Sequence, residues 1–360
     1  MKTIRNILFL TIPAFLIALI ILEVFFRIGI PASDPPRGFF DEKESMYYFS
    51  NDKENGIYTI GKFATIRTKW RINNMHWNYP IDYHQIDDRK LIAVIGDSYI
   101  EAFQVDVGKN YPFLLREKLK NDYEVYAFGV SGAPLSQYLH ISRYVKRHFD
   151  ADILIFNLIH NDFEESIHEL EPDHGRFFQV SIGDNGSIKE QMPQPNYSYP
   201  QYKLWKRIIY KSALFRYIYL NCTFRESVDK LLKTNKNYES NINTDNVNSN
   251  KELIFKATNY LVKTIREENS DKRVIFVFDA PRFAIYDNIL DKSNIRWMNK
   301  MMGTICANNN VEYIDLAPFM EEDYRKMSIK FNFDIDGHWN EYGHKFVGNV
   351  LFQYLRNNFK

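Results

Sequence analysis

The sequence predicts an α/β protein in which a parallel five-stranded sheet carries helices on both faces, preceded by one membrane-spanning helix. Three observations predict this. Five short apolar runs are separated by segments of helical periodicity, polar residues follow the runs directly, and the first 30 residues contain a long uncharged apolar stretch. Parallel strands that are buried on both faces appear as continuous apolar runs. A functional site is then expected at the carboxyl ends of the strands.

The composition is that of a large globular protein. The 360 residues include 46 Lys and Arg against 45 Asp and Glu, and 45% of them are apolar. The balanced charge argues against a nucleic-acid binder, which normally carries a basic excess, and the apolar content is too high for a disordered chain. Two cysteines, Cys222 and Cys306, cannot form a disulfide framework or, by themselves, a zinc site, and their spacing does not decide whether they bond.

Residues 1–30 are predicted to be an uncleaved transmembrane anchor. No charge lies between residues 7 and 22, and the apolar stretch resumes after one acidic residue, which gives about the 20 residues that a helix needs to cross a bilayer. A cleaved signal peptide is the alternative, but its apolar core is usually ~7–15 residues long and no Ala-x-Ala site follows. Because Lys2 and Arg5 precede the stretch, the positive-inside tendency predicts a single-pass protein of the cell membrane with the rest of the chain outside the cytoplasm.

Residues 31–90 are interpreted as a linker and an aromatic lead-in, and residues 91–360 as the main domain. The sequence PASDPPR at 31–37 cannot hold a helix, because each proline removes a backbone donor and restricts the preceding residue. Residues 47–83 are aromatic without a clear period, which favours strands and loops. In the main domain, strands are predicted at 91–95, 125–128, 153–158, 273–278 and 311–316, with helices within 105–120, over 134–148 and over about 342–357.

An insertion at about 163–250 interrupts this alternation. It contains a loop rich in proline and tyrosine at 191–202, a basic aromatic helix predicted at 202–221, and an Asn-rich stretch at 234–250 that is expected to be flexible. The helix has two interpretations that the sequence leaves open. It either presents a solvated basic face on a packed insertion, which we favour, or lies on a membrane surface with Trp205 among its apolar residues.

The strand ends carry residues that suit acyl transfer. Ser98 follows the first run, where the start of a helix stabilises a developing alkoxide. His338 can act as its base, with Asp336 setting the imidazole tautomer. The backbone N–H of Gly132 and the side chain of Asn161, after the second and third runs, are the usual kinds of donor to an oxyanion. The order of these residues along successive strand ends predicts a serine-dependent acyl-transfer site.

Each of these residues also has an ordinary structural explanation. Ser98 with Glu101 fits a helix capping box. Gly132 fits a turn, Asn161 a helix cap and His338 a loop. We favour the catalytic interpretation, because independent caps would not have to fall in order after the right strands with the histidine last.

The blocks around these residues resemble the SGNH (GDSL-type) esterases and lipases, a family of serine hydrolases. They read IAVIGDSYIEAFQV, VYAFGVSGAPLSQY, ILIFNLIHNDFEES and DIDGHWNEYGH and together span residues 92–344, although the insertion has no counterpart. The resemblance implies a flavodoxin-like fold in which Ser98 is the nucleophile and His338, oriented by Asp336, is the base. It further implies that Gly132 and Asn161 form the oxyanion hole and that no cofactor is required.

Three positions depart from the family pattern. His160 stands where many members have Gly, which would narrow the pocket or add a polar contact, and Ala102 stands where Gly is common. The acid precedes the histidine by two residues where three is more frequent, so Asp334 is a rival to Asp336. We favour Asp336, because the glycine that follows it can adopt backbone angles closed to other residues.

Other chemistries have weaker support in the sequence. Ser131 is the second-choice nucleophile, since Ala133 replaces the second glycine of the Gly-x-Ser-x-Gly elbow. The histidines include no His-Glu-x-x-His arrangement, and no Walker or dinucleotide motif occurs, so neither a metal nor a nucleotide cofactor is implied.

The predicted function is a membrane-anchored esterase that removes acetyl or another small acyl group from a surface polysaccharide or glycan. The substrate class rests on the anchor and on what is common in the family. An acyltransferase that uses the same serine shares the covalent step, so the sequence does not separate the two. A non-catalytic protein that binds glycan or organises a surface assembly is the third class, and it would be expected to have a broken set of catalytic residues. Lipid and thioester substrates remain open, and the sequence does not identify a protein partner.

Overall fold

The structure is a computed structural model of the chain and describes residues 2–86, 89–172, 175–183, 185–195, 203–222, 238–239 and 242–358. It begins with a long helix made of α1 (Lys2–Asn6), a π-helical turn (Ile7–Thr11) and α2 (Ile12–Ile28). Within the described residues, Thr3–Ile28 is the helix that is long and apolar enough to cross a membrane, and its most apolar window is not buried. These properties fit a membrane anchor and a signal sequence alike.

Two antiparallel hairpins follow. They pair β1 (Gly38–Asp41) with β2 (Met46–Phe49) and β3 (Asn55–Ile60) with β4 (Ile66–Arg71). Residues along β4 alternate between buried and exposed, because successive side chains of a strand point to opposite faces. One face of this hairpin therefore packs inward.

The residues after β4 join the core of the main sheet. Trp77, Tyr79 and Tyr83 are almost fully buried. The hydroxyls of Tyr79 and Tyr83 donate to the backbone carbonyls of Val125 and Ala127, each at 2.7 Å. Buried phenol groups need such partners, since an unpaired hydroxyl in the core destabilises the fold. The aromatic lead-in thus covers part of the sheet.

The centre of the molecule is a parallel sheet of five strands. Its strands are β5 (Lys90–Gly96), β6 (Tyr123–Gly129), β7 (Ile153–Leu158), β12 (Arg273–Phe278) and β13 (Glu312–Asp315), and small hairpins of the insertion supply β8 (Gln179–Ile182) with β9 (Ile188–Gln191) and β10 (Tyr238–Glu239) with β11 (Ile242–Asn243). The spatial order is β6-β5-β7-β12-β13. Counted along the chain this is 2-1-3-4-5, the flavodoxin-like order, and the predicted α/β fold is confirmed.

Further α-helices follow the N-terminal helix in the described residues. They are α3 (Ser98–Glu101), α4 (Tyr111–Leu119), α5 (Leu135–His148), α6 (Asp162–Glu165), α7 (Leu204–Lys211), α8 (Ala213–Arg216), α9 (Thr244–Ser249), α10 (Lys251–Glu268), α11 (Arg282–Tyr286), α12 (Arg296–Asn308), α13 (Leu316–Met327) and α14 (Glu341–Asn358). α4 packs with α14, and α5 packs with α10, which also contacts α12. Because β6 and β7 lie on opposite sides of β5, right-handed crossovers put α4 and α5 on opposite faces of the sheet.

Part of the Asn-rich stretch differs from its prediction. We expected residues 234–250 to be flexible, but α9 forms within them and is capped by Asn243, whose Oδ1 accepts from the backbone N–H of Asp245 at 3.2 Å. Ile242 and Val247 are fully buried, so two apolar side chains suffice to attach the segment to the core. The prediction is wrong for 238–239, which form β10, and for 242–250, whereas 234–237 and 240–241 lie outside the described residues.

The basic helix predicted at 202–221 is interrupted. α7 ends before Ser212, whose backbone is extended, and the Ser212 hydroxyl accepts from the N–H of Phe215 at 3.3 Å to start α8, which a π-helical turn (Tyr217–Asn221) continues. The proline- and tyrosine-rich loop lies outside the described residues from 196 to 202. Cys222 and Cys306 are both free.

Candidate active site

Ser98 lies at the junction between β5 and α3. Asp97 caps this helix, since its carboxylate accepts from the backbone N–H of Tyr99 at 3.0 Å. The first turn of α3 packs closely on the end of β6, where a Cβ at Gly129 would come within 2.1 Å of the backbone nitrogen of Glu101. A glycine is therefore required there, and it allows Ser98 to sit at the carboxyl end of the sheet. The alternative capping box of Ser98 and Glu101 is wrong.

The imidazole of His338 lies between Ser98 and Asp336. Its Nε2 is 2.8 Å from the Oγ of Ser98, and its Nδ1 is 2.6 Å from the Oδ1 of Asp336. The backbone N–H of His338 donates to the same oxygen at 2.8 Å. When Nδ1–H donates to the carboxylate, Nε2 presents its lone pair to the serine hydroxyl, which is the tautomer that a general base needs.

The charge state of Asp336 suits this arrangement. Burial opposes its ionisation, but hydrogen bonds from the ring and the backbone of His338 outweigh burial and hold the pKa of Asp336 below its usual range. Asp334, the rival acid, has a side chain that is 84% exposed and pairs with Lys330 at 3.2 Å. Of the two carboxylates, it is Asp336 that contacts the ring. Gly337 does not have a positive φ, so the backbone reason for favouring Asp336 is wrong.

Gly132 and Asn161 line the same cleft as Ser98 and His338, and the cleft has a volume of about 310 Å³. Gly132 has a φ of +78°, a conformation that strains residues with a Cβ. Asn161 lies at the start of α6, and its side chain hydrogen-bonds the carboxyl group of Glu165. Both predicted oxyanion donors therefore lie at neighbouring strand ends beside the serine.

Glu101 was missed as a residue of the site. Its buried carboxylate accepts hydrogen bonds from the backbone N–H of Ser131 at 3.0 Å and from the Ser131 hydroxyl. These bonds hold the loop that contains Gly132. Burial raises the pKa of Glu101 to about 7. Ser131, the second-choice nucleophile, donates its hydroxyl to this carboxylate rather than to a histidine. In the sequence, the spacing of Glu101 from Ser98 indicates only a helix cap.

His160 is a buried neutral group on the cleft wall. The Nδ2 of Asn299 donates to the carbonyl of Asp279 and to Asp315, at 2.9 and 3.0 Å, so its Oδ1 is an acceptor for the Nε2–H of His160 at 3.1 Å. Burial lowers the pKa of His160 to about 3. The departure from Gly at this position therefore adds an uncharged imidazole to the cleft.

Arg282 is a second residue that sequence reasoning missed. It is buried on the cleft wall, where its Nε donates to Asp279 at 3.1 Å and its Nη2 donates to the hydroxyl of Tyr99. That hydroxyl in turn donates to the carbonyl of Gly337 at 3.0 Å, next to His338. Burial opposes the charge of Arg282, but Asp279 outweighs burial and keeps its pKa above the usual value. The guanidinium thus supports the histidine loop through Tyr99.

Ala102, the remaining departure, ends α3 in the left-handed region with a φ of 54°. This explains why glycine suits the position, because a Cβ there costs about 1–2 kcal/mol. Among the described residues, no group of three or more His, Cys, Asp or Glu is arranged to hold a metal ion.

A model of the family described as GDSL-like Lipase/Acylhydrolase matches residues 94–346, which include the five residues predicted for the site. The chain belongs to this family. The GDSL-type resemblance noted in the sequence is confirmed, and the protein is a hydrolase acting on ester bonds. Among curated proteins, none matches this chain.

Several solved structures of lipolytic enzymes and esterases are similar to this one. The lipase/acylhydrolase from Enterococcus faecalis is 12% identical with a TM-score of 0.40, and the match covers 75% of this chain and 97% of that chain. A G-D-S-L family member from Veillonella parvula DSM 2008 is 14% identical with a TM-score of 0.38, covering 73% and 97%. An acetyl xylan esterase is 14% identical with a TM-score of 0.40, covering 74% and 99%. At these values the structural likenesses add nothing to the family match.

Proposed function

We propose that this GDSL-type hydrolase is a membrane-anchored esterase that acts outside the cytoplasm on small acyl esters of a surface polysaccharide or glycan, with Ser98 as its nucleophile. The observation that carries the proposal is the hydrogen-bonded series from Ser98 through His338 to Asp336, at 2.8 and 2.6 Å, on the wall of the cleft. Nucleophile, base and orienting acid within hydrogen-bond reach are the requirement for this chemistry.

Acylation follows from this geometry. Nε2 of His338 takes the proton of Ser98 as Oγ attacks the ester carbonyl, and the carboxylate of Asp336 stabilises the imidazolium that forms. The carbonyl oxygen becomes an oxyanion and accepts hydrogen bonds from the N–H of Gly132 and the side chain of Asn161. The tetrahedral intermediate then expels the alcohol, which receives its proton from Nε2. The product is an acyl-enzyme at Ser98.

Deacylation uses the same groups in reverse. His338 removes a proton from water, which attacks the acyl carbonyl, and the released Ser98 recovers its proton. A sugar hydroxyl in place of water would make the protein an acyltransferase by the same steps. The cleft of about 310 Å³ is at the small end of ligand pockets, which supports a small acyl group such as acetyl.

Contacts of the N-terminal helix support a retained anchor. The carboxylate of Glu23 accepts from the hydroxyl of Ser212 at 2.7 Å, and the ring of Phe26 stacks on that of Tyr217 with centroids 3.8 Å apart. If a signal peptidase removed the helix, Ser212 would lose its hydrogen bond to Glu23 and Tyr217 would lose its stacking partner Phe26. Basic residues before the helix support an orientation with the catalytic domain outside.

The test uses the purified full-length protein in detergent micelles. It should hydrolyse 4-nitrophenyl acetate and acetylated xylan oligosaccharides, prefer acetyl to longer acyl groups, and be labelled by a fluorophosphonate probe. Addition of an unacetylated glycan separates the alternatives, since an acyltransferase would form acetylated glycan whereas an esterase would release acetate. Absence of both turnover and labelling would point to the non-catalytic class.

Membrane topology is tested separately. A reporter that is active only outside the cytoplasm, fused after Lys360, should be active, and the intact N-terminal helix should be recovered in the membrane fraction. Recovery of a soluble protein that starts near Ala32 would show a cleaved signal instead.

A further inference from the structure

Residues 203–222, which we call the basic segment, are joined to the end of the N-terminal helix. The carboxylate of Glu23 accepts from the backbone N–H groups of Ala213 and Leu214, at 3.0 and 2.9 Å, as well as from the hydroxyl of Ser212. These N–H groups are at the start of α8, where they have no partner within their own helix. A carboxylate from the N-terminal helix therefore caps a helix of the basic segment.

Further contacts make the two parts one packed unit. Phe26 and Ala32 form a small apolar cluster with Ala213 and Leu214, separate from the main core. The Nη2 of Arg27 donates to the carbonyl of Lys211 at 3.2 Å. The position of the basic segment is thus set by the helix that we propose as the anchor, close to the point where that helix leaves the apolar layer.

The basic segment exposes several large apolar side chains. Six large apolar side chains between residues 204 and 219 are 40–74% exposed: Leu204, Trp205, Ile208, Phe215, Ile218 and Tyr219. Exposed apolar residues on soluble proteins are usually scattered singly, and a cluster of this kind marks an interaction surface.

In α7 the apolar and basic residues lie on different faces. Leu204, Trp205 and Ile208 share one face by helical spacing, whereas Lys206 and Arg207 fall on the other side of the helix, and all five side chains are exposed. The Nζ of Lys206 reaches the edge of the apolar face, 5.7 Å from the centre of the Trp205 ring. An apolar face with tryptophan and a polar face rich in Lys and Arg is typical of helices that lie in the plane of a membrane interface.

We propose that the basic segment lies in the interfacial layer of the bilayer that the N-terminal helix enters. The apolar face of α7 contacts the acyl chains, and its basic side chains contact anionic headgroups. The lipid surface is chosen as the partner because the basic segment packs directly against the end of the N-terminal helix. This inference rests on the membrane anchoring in the proposed function.

The docked segment is connected to the catalytic cleft by one turn. The side chain of Asn221 donates to the carbonyl of Gly61 at 3.2 Å, in the turn between β3 and β4. A Cβ at Gly61 would lie 3.3 Å from Ile335, which lines the cleft beside His338. Phe63, in the same turn, is 79% exposed. Docking of the basic segment would therefore hold the cleft close to the membrane surface.

The experiment measures tryptophan fluorescence of the full-length protein in nanodiscs whose anionic and zwitterionic lipids carry bromine on the acyl chains. Trp205 is 50% exposed, whereas Trp70, Trp77 and Trp339 are buried and Trp297 is partly buried. The fluorescence of Trp205 is obtained as the difference between the parent and Trp205→Phe. The brominated lipids should quench it by roughly half or more, because an interfacial helix is buried ~5–10 Å into the headgroup boundary. Equal quenching of the parent and Trp205→Phe would overturn the proposal.

A pair of substitutions sharpens the result. Ile208→Glu should weaken quenching of Trp205 severalfold, because a charge on the apolar face opposes burial in lipid. Phe319→Glu is the matched control on α13, where an equally exposed apolar residue lies outside the basic segment, and it should leave quenching unchanged. Equal loss in both variants would overturn the proposal.

The outcomes also separate this inference from the proposed anchor. A protein that does not copurify with nanodiscs would overturn both. A protein that is retained in nanodiscs with an unquenched Trp205 would overturn the docking of the basic segment alone. Two copies in each disc, with Trp205 unquenched, would show that a second chain covers this surface instead of lipid.

Discussion

The two ends of the central sheet both carry charged residues, but they use them differently. At the amino ends of the strands lies a cavity of about 850 Å³, lined by Arg273, Glu312 and Tyr354 among others. These groups bind each other, since Arg273 contacts Glu312 at 2.6 Å and Tyr354 donates to Glu312 at 2.8 Å. At the carboxyl ends the smaller cleft presents a serine hydroxyl beside an imidazole. The comparison teaches that the chemical identity of the paired groups, and not the size of a cavity, distinguishes a structural site from a reactive one.

Ser98→Ala should have the largest effect at the carboxyl end. We expect turnover of a short acyl ester to fall by about 10⁵–10⁶-fold, because the nucleophile is removed, with little change in the free energy of unfolding. Initial rates and fluorophosphonate labelling measure this. Ser187→Ala, at an exposed serine of the β8–β9 hairpin, is the control and should be labelled like the parent. Labelling that persists in Ser98→Ala would mean that another residue is the nucleophile.

Asp336→Asn should rank second. Turnover should fall by about 10³–10⁴-fold, because an amide cannot hold His338 in the tautomer with its lone pair towards Ser98. Measurement of kcat/KM for this variant beside Asp334→Asn supplies a matched control, since Asp334 faces solvent. A larger loss in Asp334→Asn would reverse the assignment of the acid.

Asn161→Ala should lower kcat by about 10²–10³-fold with a smaller change in KM, because an oxyanion donor acts mainly in the transition state. Steady-state kinetics on one acyl ester at several concentrations separates the two constants. An effect confined to KM would show that Asn161 binds the substrate without stabilising the oxyanion.

Glu101→Gln tests a charge of the carboxyl end through stability. Burial raises the pKa of Glu101 from 4.5 to about 7, so the folded protein binds a proton at this carboxyl group more tightly than the unfolded chain does. The stabilisation of the fold that results is fully present below about pH 4.5 and is lost as pH rises through 7. Between pH 5 and 7.5 the free energy of unfolding should therefore fall by up to about 3 kcal/mol more in the parent than in the variant. Denaturant titrations at both pH values measure the difference. Parallel curves for the two proteins would contradict the prediction.

Glu312→Gln tests the amino end and should have the smallest effect. Loss of the charged partner of Arg273 should lower the free energy of unfolding by about 1 kcal/mol, since both groups are partly exposed. Turnover should stay within about twofold of the parent. Melting temperature and initial rate measure the two quantities, and a large loss of turnover would break the distinction between the two ends.

Sequence patterns located the sheet more closely than its helices. The strands predicted at 153–158 and 273–278 match β7 and β12 to the residue. Buried parallel strands produce continuous apolar runs that stand out locally. We did not predict α10 and α12, where apolar residues are interspersed with polar ones. In α10 the buried Ile254, Leu261 and Ile265 have helical spacing that a systematic count would have detected.

The sequence by itself determined the fold class, the family, and the order of the site residues along successive strand ends, because these depend on local periodicity and on short motifs. Only the tertiary structure decided which partners the polar groups take. Glu101 bonds Ser131, 30 residues away, and Arg282 bonds Tyr99, 183 residues away. Such contacts depend on how the strands and loops pack in three dimensions, and burial then fixes the charge of each group, so no local pattern specifies them.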